Sequence, residues 1–181
     1  REGLWFYTEG VRNWDPCGPN HGIRILPGPS SMWFDAKGNR FAPPALPGFD
    51  SLGTFKMILE TGFDYSWFVL TQTIIKKEFA LSGSEQNPDF TSGKWLEVIK
   101  QRLLSGARAT GPVEAFKEHG ADFVVASDLT ELVKGMNGVV NGDLIDAAHV
   151  RHQIEARDAQ IDNPFSKDAQ IMAIHAARKY R

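Results

Sequence analysis

Trp33-Phe34-Asp35-Ala36-Lys37-Gly38-Asn39-Arg40-Phe41 (residues 33–41) reads as strand, turn, strand. Aromatic residues stand at both ends, and the polar, small residues between them are those that reverse a chain. Gly38 and Asn39 suit positive φ, the first for lack of a Cβ and the second because its short amide bonds to nearby backbone. Upstream, Gly22-Ile23-Arg24-Ile25-Leu26 alternates as a half-buried strand does, and Pro27 stops it. Downstream, Pro43, Pro44 and Pro47 lack the amide that a ladder needs, so that segment is a loop or a sheet edge.

Working outward, Ser51 is expected to cap a helix over about 51–59, with Leu52, Phe55 and Leu59 on one face and Gly62 ending it. Trp67-Phe68-Val69-Leu70 is a short apolar run that reads as a buried strand. A helix over about 72–79 follows, with Ile74, Ile75 and Phe79 inward, and residues 82–93 form a polar loop. Trp95, Ile99 and Leu103 have helical spacing, and Pro112 suits the first position of a helix reaching about His119. Phe123-Val124-Val125 reads as a second buried strand. Asp128 and Glu131 resemble a capping box for a short helix ending near Gly135. A longer amphipathic helix is expected over 143–161, and Ser166 is expected to cap a last one through about Tyr180, with Pro164 between them. The fold class is therefore α+β. A small sheet lies in a Pro- and aromatic-rich strand-and-loop N-terminal half, the C-terminal half is helical, and residues 1–181 form a single domain.

Composition narrows the function. Twenty basic and 22 acidic side chains leave a net charge of −2, with no basic run to attract nucleic acid or anionic lipid. No apolar stretch approaches the roughly 18 residues of a membrane span. One cysteine, Cys17, allows no internal disulfide and no cysteine zinc site, which makes the cytoplasm the expected compartment. No G-x-G-x-x-G or P-loop pattern occurs, so the chain shows no phosphate cradle. His149 and His152 sit three apart, but Arg151 and Arg157 place them in a charged, solvated helix face, and no metal site is expected. Cys17 has only His21 nearby as a base and reads as a loop cysteine without a task.

Sixteen of the 20 aromatic residues lie between Trp5 and Trp95, and seven of the ten prolines between Pro16 and Pro47. Most of these rings belong to a core. A dense aromatic segment can also line an apolar ligand cavity oriented by a few polar groups. Tyr7, Trp14, Arg24, Arg40 and Tyr65 are the candidate substrate-binding residues on that ground. An aromatic start without Met at Arg1, together with a final helix that no further element closes, reads as a piece of a longer polypeptide.

Residues 31–41, with Gly38-Asn39-Arg40-Phe41 at the turn, resemble the start of the cap domain in FAD-dependent oxidoreductases of the fumarate reductase and 3-ketosteroid Δ1-dehydrogenase superfamily. The strand at Trp67-Phe68-Val69-Leu70 and the block Asp128-Leu129-Thr130-Glu131-Leu132 are similar to later parts of that domain. Thr8-Glu9-Gly10, Asn13-Trp14-Asp15-Pro16, Ile25-Leu26-Pro27-Gly28-Pro29-Ser30-Ser31, Ser82-Gly83-Ser84-Glu85-Gln86-Asn87-Pro88 and Asp162-Asn163-Pro164-Phe165-Ser166-Lys167-Asp168 look like a ketosteroid-dehydrogenase-like subgroup. Two departures stand out. Pro43-Pro44 replaces the family's Asn-Glu, and Lys37 stands where fumarate reductases carry the glutamate that relays protons to the motif arginine, here Arg40.

The resemblance implies a cap that closes over flavin and a small apolar, ketosteroid-like substrate. FAD would be held by an FAD-binding domain of the same polypeptide and none by these residues, so the isolated chain is expected to be colourless and inactive. The rival expectation is a non-catalytic ligand- or protein-binding module whose aromatic half is the contact surface.

Overall fold

The computed structural model describes residues 8–16, 18, 22–42, 45, 50–82, 96, 99–100 and 108–177. Its strands are β1 (Gly10–Arg12), β2 (Gly22–Leu26), β3 (Met32–Phe34), β4 (Trp67–Val69) and β5 (Ala80–Ser82). Its helices are α1 (Ser51–Glu60), α2 (Gln72–Lys77), α3 (Gly111–His119), α4 (Leu129–Val139), α5 (Ala147–Asp158) and α6 (Ala169–Ala177). One antiparallel sheet has the order β1-β2-β5, with Val11 opposite Ile23 and Ile25 opposite Leu81. A second pairs β3 with β4, Met32 opposite Val69 and Phe34 opposite Trp67. This inner pair lies wholly within the excursion of chain from β2 to β5. The α+β reading holds. Among the described residues no helix is long and apolar enough to cross a membrane.

Two main cores form, one on each sheet. Ile23, Ile25 and Leu81 meet Ile75, Phe79, Val113 and Phe116, so the first sheet packs on α2 and α3. Met32 and Phe34 meet Val133, Met136, Ile145 and Val150, so the second packs on α4 and α5. β4 separates them by the period-two alternation of a strand: Phe68 and Leu70 lean on the first core, Trp67 and Val69 on the second. A smaller cluster of Trp33, Ala45 and Ile58 is completed by Phe68, which stacks on Trp33 at 4.8 Å.

The turn at 35–39 forms as its residues dictate. The Asp35 carboxylate accepts from the Lys37 and Asn39 amides, each at 2.8 Å, and Gly38 adopts φ +80°. Asn39 does not share the positive φ expected of it. The returning strand shrinks to one bridge, Phe34 with Arg40, because α5 takes its place. The Gln153 side chain donates to the Gly38 carbonyl at 2.6 Å and accepts from the Arg40 amide at 2.7 Å, an amide imitating a neighbouring strand.

Arg40 then reaches α6. Its guanidinium donates to both Asp168 oxygens, at 2.7 and 3.0 Å, and to Gln170 Oε1 at 2.8 Å. Asp168 Oδ1 also caps α6, accepting from the Gln170 and Ile171 amides. Burial works against the Asp168 charge, but the Arg40 and backbone hydrogen bonds prevail and hold its pKa below the ordinary aspartate value. The loop 27–31 between the two sheets is fastened by the same region. Gln170 Nε2 donates to the Pro29 and Ser31 carbonyls, Arg157 to the Ser30 carbonyl, and Glu78 accepts from the Ser30 amide and hydroxyl. Gly28, at φ +77°, lies where a Cβ would fall 2.4 Å from Glu78 Cβ.

Several boundaries differ from expectation. α1 is capped by Asp50, whose carboxylate accepts from Gly53 N at 2.9 Å, and not by Ser51. The Leu52, Phe55 and Leu59 face of α1 is exposed (52%, 44% and 49%), while Thr54 and Ile58 face inward. Phe123-Val124-Val125 does not form a strand; Phe123 and Val124 pack on the two cores, Val125 is exposed, and no strand among the described residues pairs with the segment. α4 continues through Gly135 to Val139 because Val124 fills the space beside that glycine. α5 begins after Asp146, four residues later than expected, since Asp146 caps it by accepting from His149 N. Asp168, not Ser166, caps α6. The polar loop expected at 82–93 falls almost entirely outside the described residues, and the helix expected around Trp95–Leu103 falls largely outside them.

Gly38→Ala is expected to destabilise the protein by about 2 kcal/mol in urea melts, since a left-handed φ opposes any Cβ. That Cβ would also press on Ile145 and Val150 at 3.0 and 3.1 Å. Arg40→Met is expected to cost about 2 kcal/mol near neutral pH, the scale of hydrogen bonds to a charge. Because Asp168 is held ionised by this pair, its contribution is present above the ordinary aspartate range and is lost as pH falls through the lowered pKa. Melts of the wild type and Arg40→Met should therefore converge in acid.

Candidate functional site

Where the two cores meet they leave a cleft of about 820 Å³, within the size range of small-molecule sites. β4 and Leu70 form one wall. The unpaired segment 123–126 and the α4 residues Leu132, Met136 and Val139 form another. α1 contributes Phe55, Ile58 and Leu59, and the first sheet and α2 contribute Ile25 and Ile75. The apolar α1 face that is exposed to solvent is therefore in part the lining of this cleft. Such a lining suits an apolar ligand, whose transfer from water contributes about 25 cal/mol per Å² buried.

Polar groups lie along the rim, and most are already engaged. The Arg12 amide donates to Asp122 at 2.9 Å, and Lys117 donates to Gln72 and Glu114. Ser66 Oγ accepts from Trp33 Nε1 at 2.9 Å. Tyr65 differs. Its ring meets Phe63 and Trp67 edge-on at 5.7 and 5.6 Å, and its hydroxyl has no hydrogen-bond partner among the described residues. Burial, then the neighbouring Asp64 charge, raises its pKa above the ordinary tyrosine value. The phenol is thus a neutral donor throughout the physiological range. Trp67 Nε1 and Thr8 Oγ1, on residues that also line the cleft, are buried without partners among the described residues. A cleft with an apolar body and a few uncommitted donors can orient a carbonyl on an apolar molecule.

Of the five candidate binding residues, the structure brings one to this cleft, Tyr65. Tyr7 lies outside the described residues, as do Cys17 and His21. Trp14 sits at the edge of the first core, against Phe116 and His119. Arg24 is half-buried on β2, opposite Gly10 on one side and Ser82 on the other. Arg40 belongs to the clamp on Asp168. His149 Nε2 lies 2.9 Å from Asn39 Oδ1, and among the described residues no group of side chains could hold a metal ion. Sequence reasoning missed the lining supplied by Phe55, Leu59, Val125 and Met136. The available signal was the apolar stripe on α1.

The helix N-termini are relevant to dinucleotide binding. Asp50, Asp128, Asp146 and Asp168 fill four of them with carboxylates. Thr71 caps α2, and at α3 Glu114 accepts from the Ala109 amide. A carboxylate there takes the donors a phosphate would use and repels its charge. The described strand pairs are all antiparallel. The described residues therefore do not fit the pyrophosphate of a dinucleotide.

Comparison with known proteins supplies the lineage. The chain is 53% identical over 177 residues to a KsdD-like steroid dehydrogenase of Mycolicibacterium smegmatis, covering 98% of this chain and 32% of that protein. It is 51% identical over 178 residues to a KsdD-like steroid dehydrogenase of Mycobacterium tuberculosis H37Rv, covering 98% and 31%. It thus spans about a third of the length of these curated relatives. No solved structure matches it significantly. The family model described as "FAD binding domain" matches residues 1–180, which corrects the expectation of a cap domain. Aromatic content and antiparallel pairing describe how a segment packs and do not assign its place within a flavoprotein. The same match disfavours a non-catalytic binding module. Family model and relatives agree: this chain belongs to the FAD-binding family of the fumarate reductase and ketosteroid dehydrogenase superfamily.

Proposed function

We propose that this chain is part of an FAD-dependent dehydrogenase acting on an apolar, ketosteroid-like substrate, and that the cleft between its two cores receives that substrate. The observation that carries the reading is the cleft itself, with apolar side chains from both cores, polar groups along its rim and the uncommitted Tyr65 hydroxyl. The relatives' designation as steroid dehydrogenases supports the substrate class. FAD, when bound, would supply the hydride-accepting chemistry of such a dehydrogenation. The described residues do not fit its pyrophosphate, so their part lies with the substrate.

The chain's own contribution is binding and orientation. Phe55, Ile58, Phe68 and Met136 exclude water from the ring system, and Tyr65 donates to a carbonyl and fixes which carbons are presented. Lys37, in the place of the family's relay glutamate, and Arg40, already paired with Asp168, leave no proton path at the turn for fumarate reduction. The single cysteine supports placing the enzyme in the reducing cytoplasm.

Anaerobic mixing of the intact flavoprotein with a 3-keto-4-ene steroid is expected to bleach the flavin spectrum, whereas small dicarboxylates leave turnover unchanged. Bleaching failure with steroids, together with reoxidation by fumarate, would sink the proposal. Tyr65→Phe is expected to lower kcat/KM for the ketosteroid about tenfold, the worth of one good hydrogen bond. Since the Tyr65 pKa is raised, its donor role should persist through the range in which an ordinary tyrosine ionises and be lost only at still higher pH.

A further inference from the structure

The cleft wall formed by residues 123–126 stands without a ladder. Phe123 and Val124 point into different cores, as neighbouring residues of a strand do, yet no strand among the described residues pairs with them. Their position is fixed by other means. Phe123 N donates to the Gly120 carbonyl at 3.0 Å, and the Phe123 ring meets Phe79 edge-on at 5.8 Å. On the other side Val124 presses into α4 at Gly135. A Cβ on Gly135 would lie 2.4 Å from Val124 Cγ1, a separation that carbon atoms do not reach. Glycine is a poor residue for a helix interior, and here its bare α-carbon forms a notch that receives the valine. Val124 is β-branched, which leaves it few rotamers with which to withdraw. A side chain at Gly135 therefore presses on Val124 and, through it, on the segment.

We propose that the notch between Gly135 and Val124 sets the width of the cleft and so determines how large an apolar substrate it admits. Phe123, Val124, Val125 and Ala126 all line the cleft, as do Leu132 and Val139, about one turn of α4 before and after the notch, and Met136 beside it. With Val124 seated, the wall lies back on the helix. With the notch filled, a displacement of about 1 Å or more, needed to restore ordinary carbon contact, carries the wall toward β4. Gly135 is a positioning residue, acting through Val124. This inference rests on the reading of the cleft as the substrate site.

The geometry provides its own compensation. A Cβ on Gly135 lies 3.7 Å from Val124 Cβ, an ordinary contact, so only the valine methyl stands in its way. The pair Gly135→Ala with Val124→Ala should fit where Gly135→Ala alone does not. The test uses the intact flavoprotein with a four-ring 3-ketosteroid and a two-ring enone, each measured by steady-state KM and by equilibrium dialysis. Gly135→Ala is expected to weaken the four-ring compound about tenfold relative to the two-ring one, on the scale at which pocket size discriminates. The double variant is expected to return within about twofold of wild type, with near-UV circular dichroism confirming the fold throughout. Equal losses for both compounds, or a folded double variant that does not recover, would overturn the proposal. If the wild type neither binds nor oxidises the steroid, the substrate reading fails, and dialysis with naphthalene and pyrene then decides the width question. The same size-dependent loss and rescue supports it, and size-independent binding overturns it.

Discussion

The pairing of Arg40 with Asp168 joins the arm of the hairpin turn to the start of the last helix across most of the chain's length. Each partner serves twice. Arg40 bridges back to Phe34 through its backbone, and Asp168 caps α6 while accepting the guanidinium. Gln170, the second residue of the same helix, then closes on the Pro29 and Ser31 carbonyls. The strand-rich and helix-rich halves are thus tied at a half-buried ion pair whose hydrogen bonds are largely satisfied, the condition under which a charge in a protein interior is tolerated. Remove it, and the loop between the two sheets loses its anchor on α6.

With that loop fixed, the two sheets are held as separate bodies and not as one continuous layer. Each gathers its own helices and its own core, and β4 is shared by alternation. Two cores meeting along a strand and an unpaired segment cannot close completely, because the segment brings side chains but no ladder. The cleft is the space left over, and its lining is apolar for the same reason the cores are. Site and fold have one cause.

Much of this was legible in the residues. Gly22–Leu26, the Asp35–Gly38 turn, the Pro112 start of α3 and the Asp128 cap each follow from local chemistry, and each is found where its residues put it. Errors arose where a distant partner decides. Ser51 yielded the cap to Asp50 because both are competent, and only tertiary position chooses between them. The Phe123–Val125 run has the composition of a buried strand, and nothing local reveals that no strand among the described residues pairs with it. Gly135 looked like a helix end because the reason for a glycine there, Val124 in close approach, lies eleven residues away. Tyr65 was within reach of sequence reasoning as an amphipathic ring in an aromatic run. Arg40 was within reach as a candidate, but its partner Asp168 was visible only as part of a resembling block.

The nesting of one sheet inside another has a consequence for how the chain reaches this state. β2 and β5 are neighbours in the outer sheet, yet β3, α1, β4 and α2 all lie on the chain between them. Bringing Leu26 to Ala80 across a flexible excursion carries a loop-closure cost that grows with its length. Once Met32 has met Val69, most of that excursion is already drawn together, and the outer pair closes a much shorter loop. The inner hairpin and its Trp33–Phe68 stack are therefore the natural nucleus, and the three-stranded sheet is the part that assembles around them.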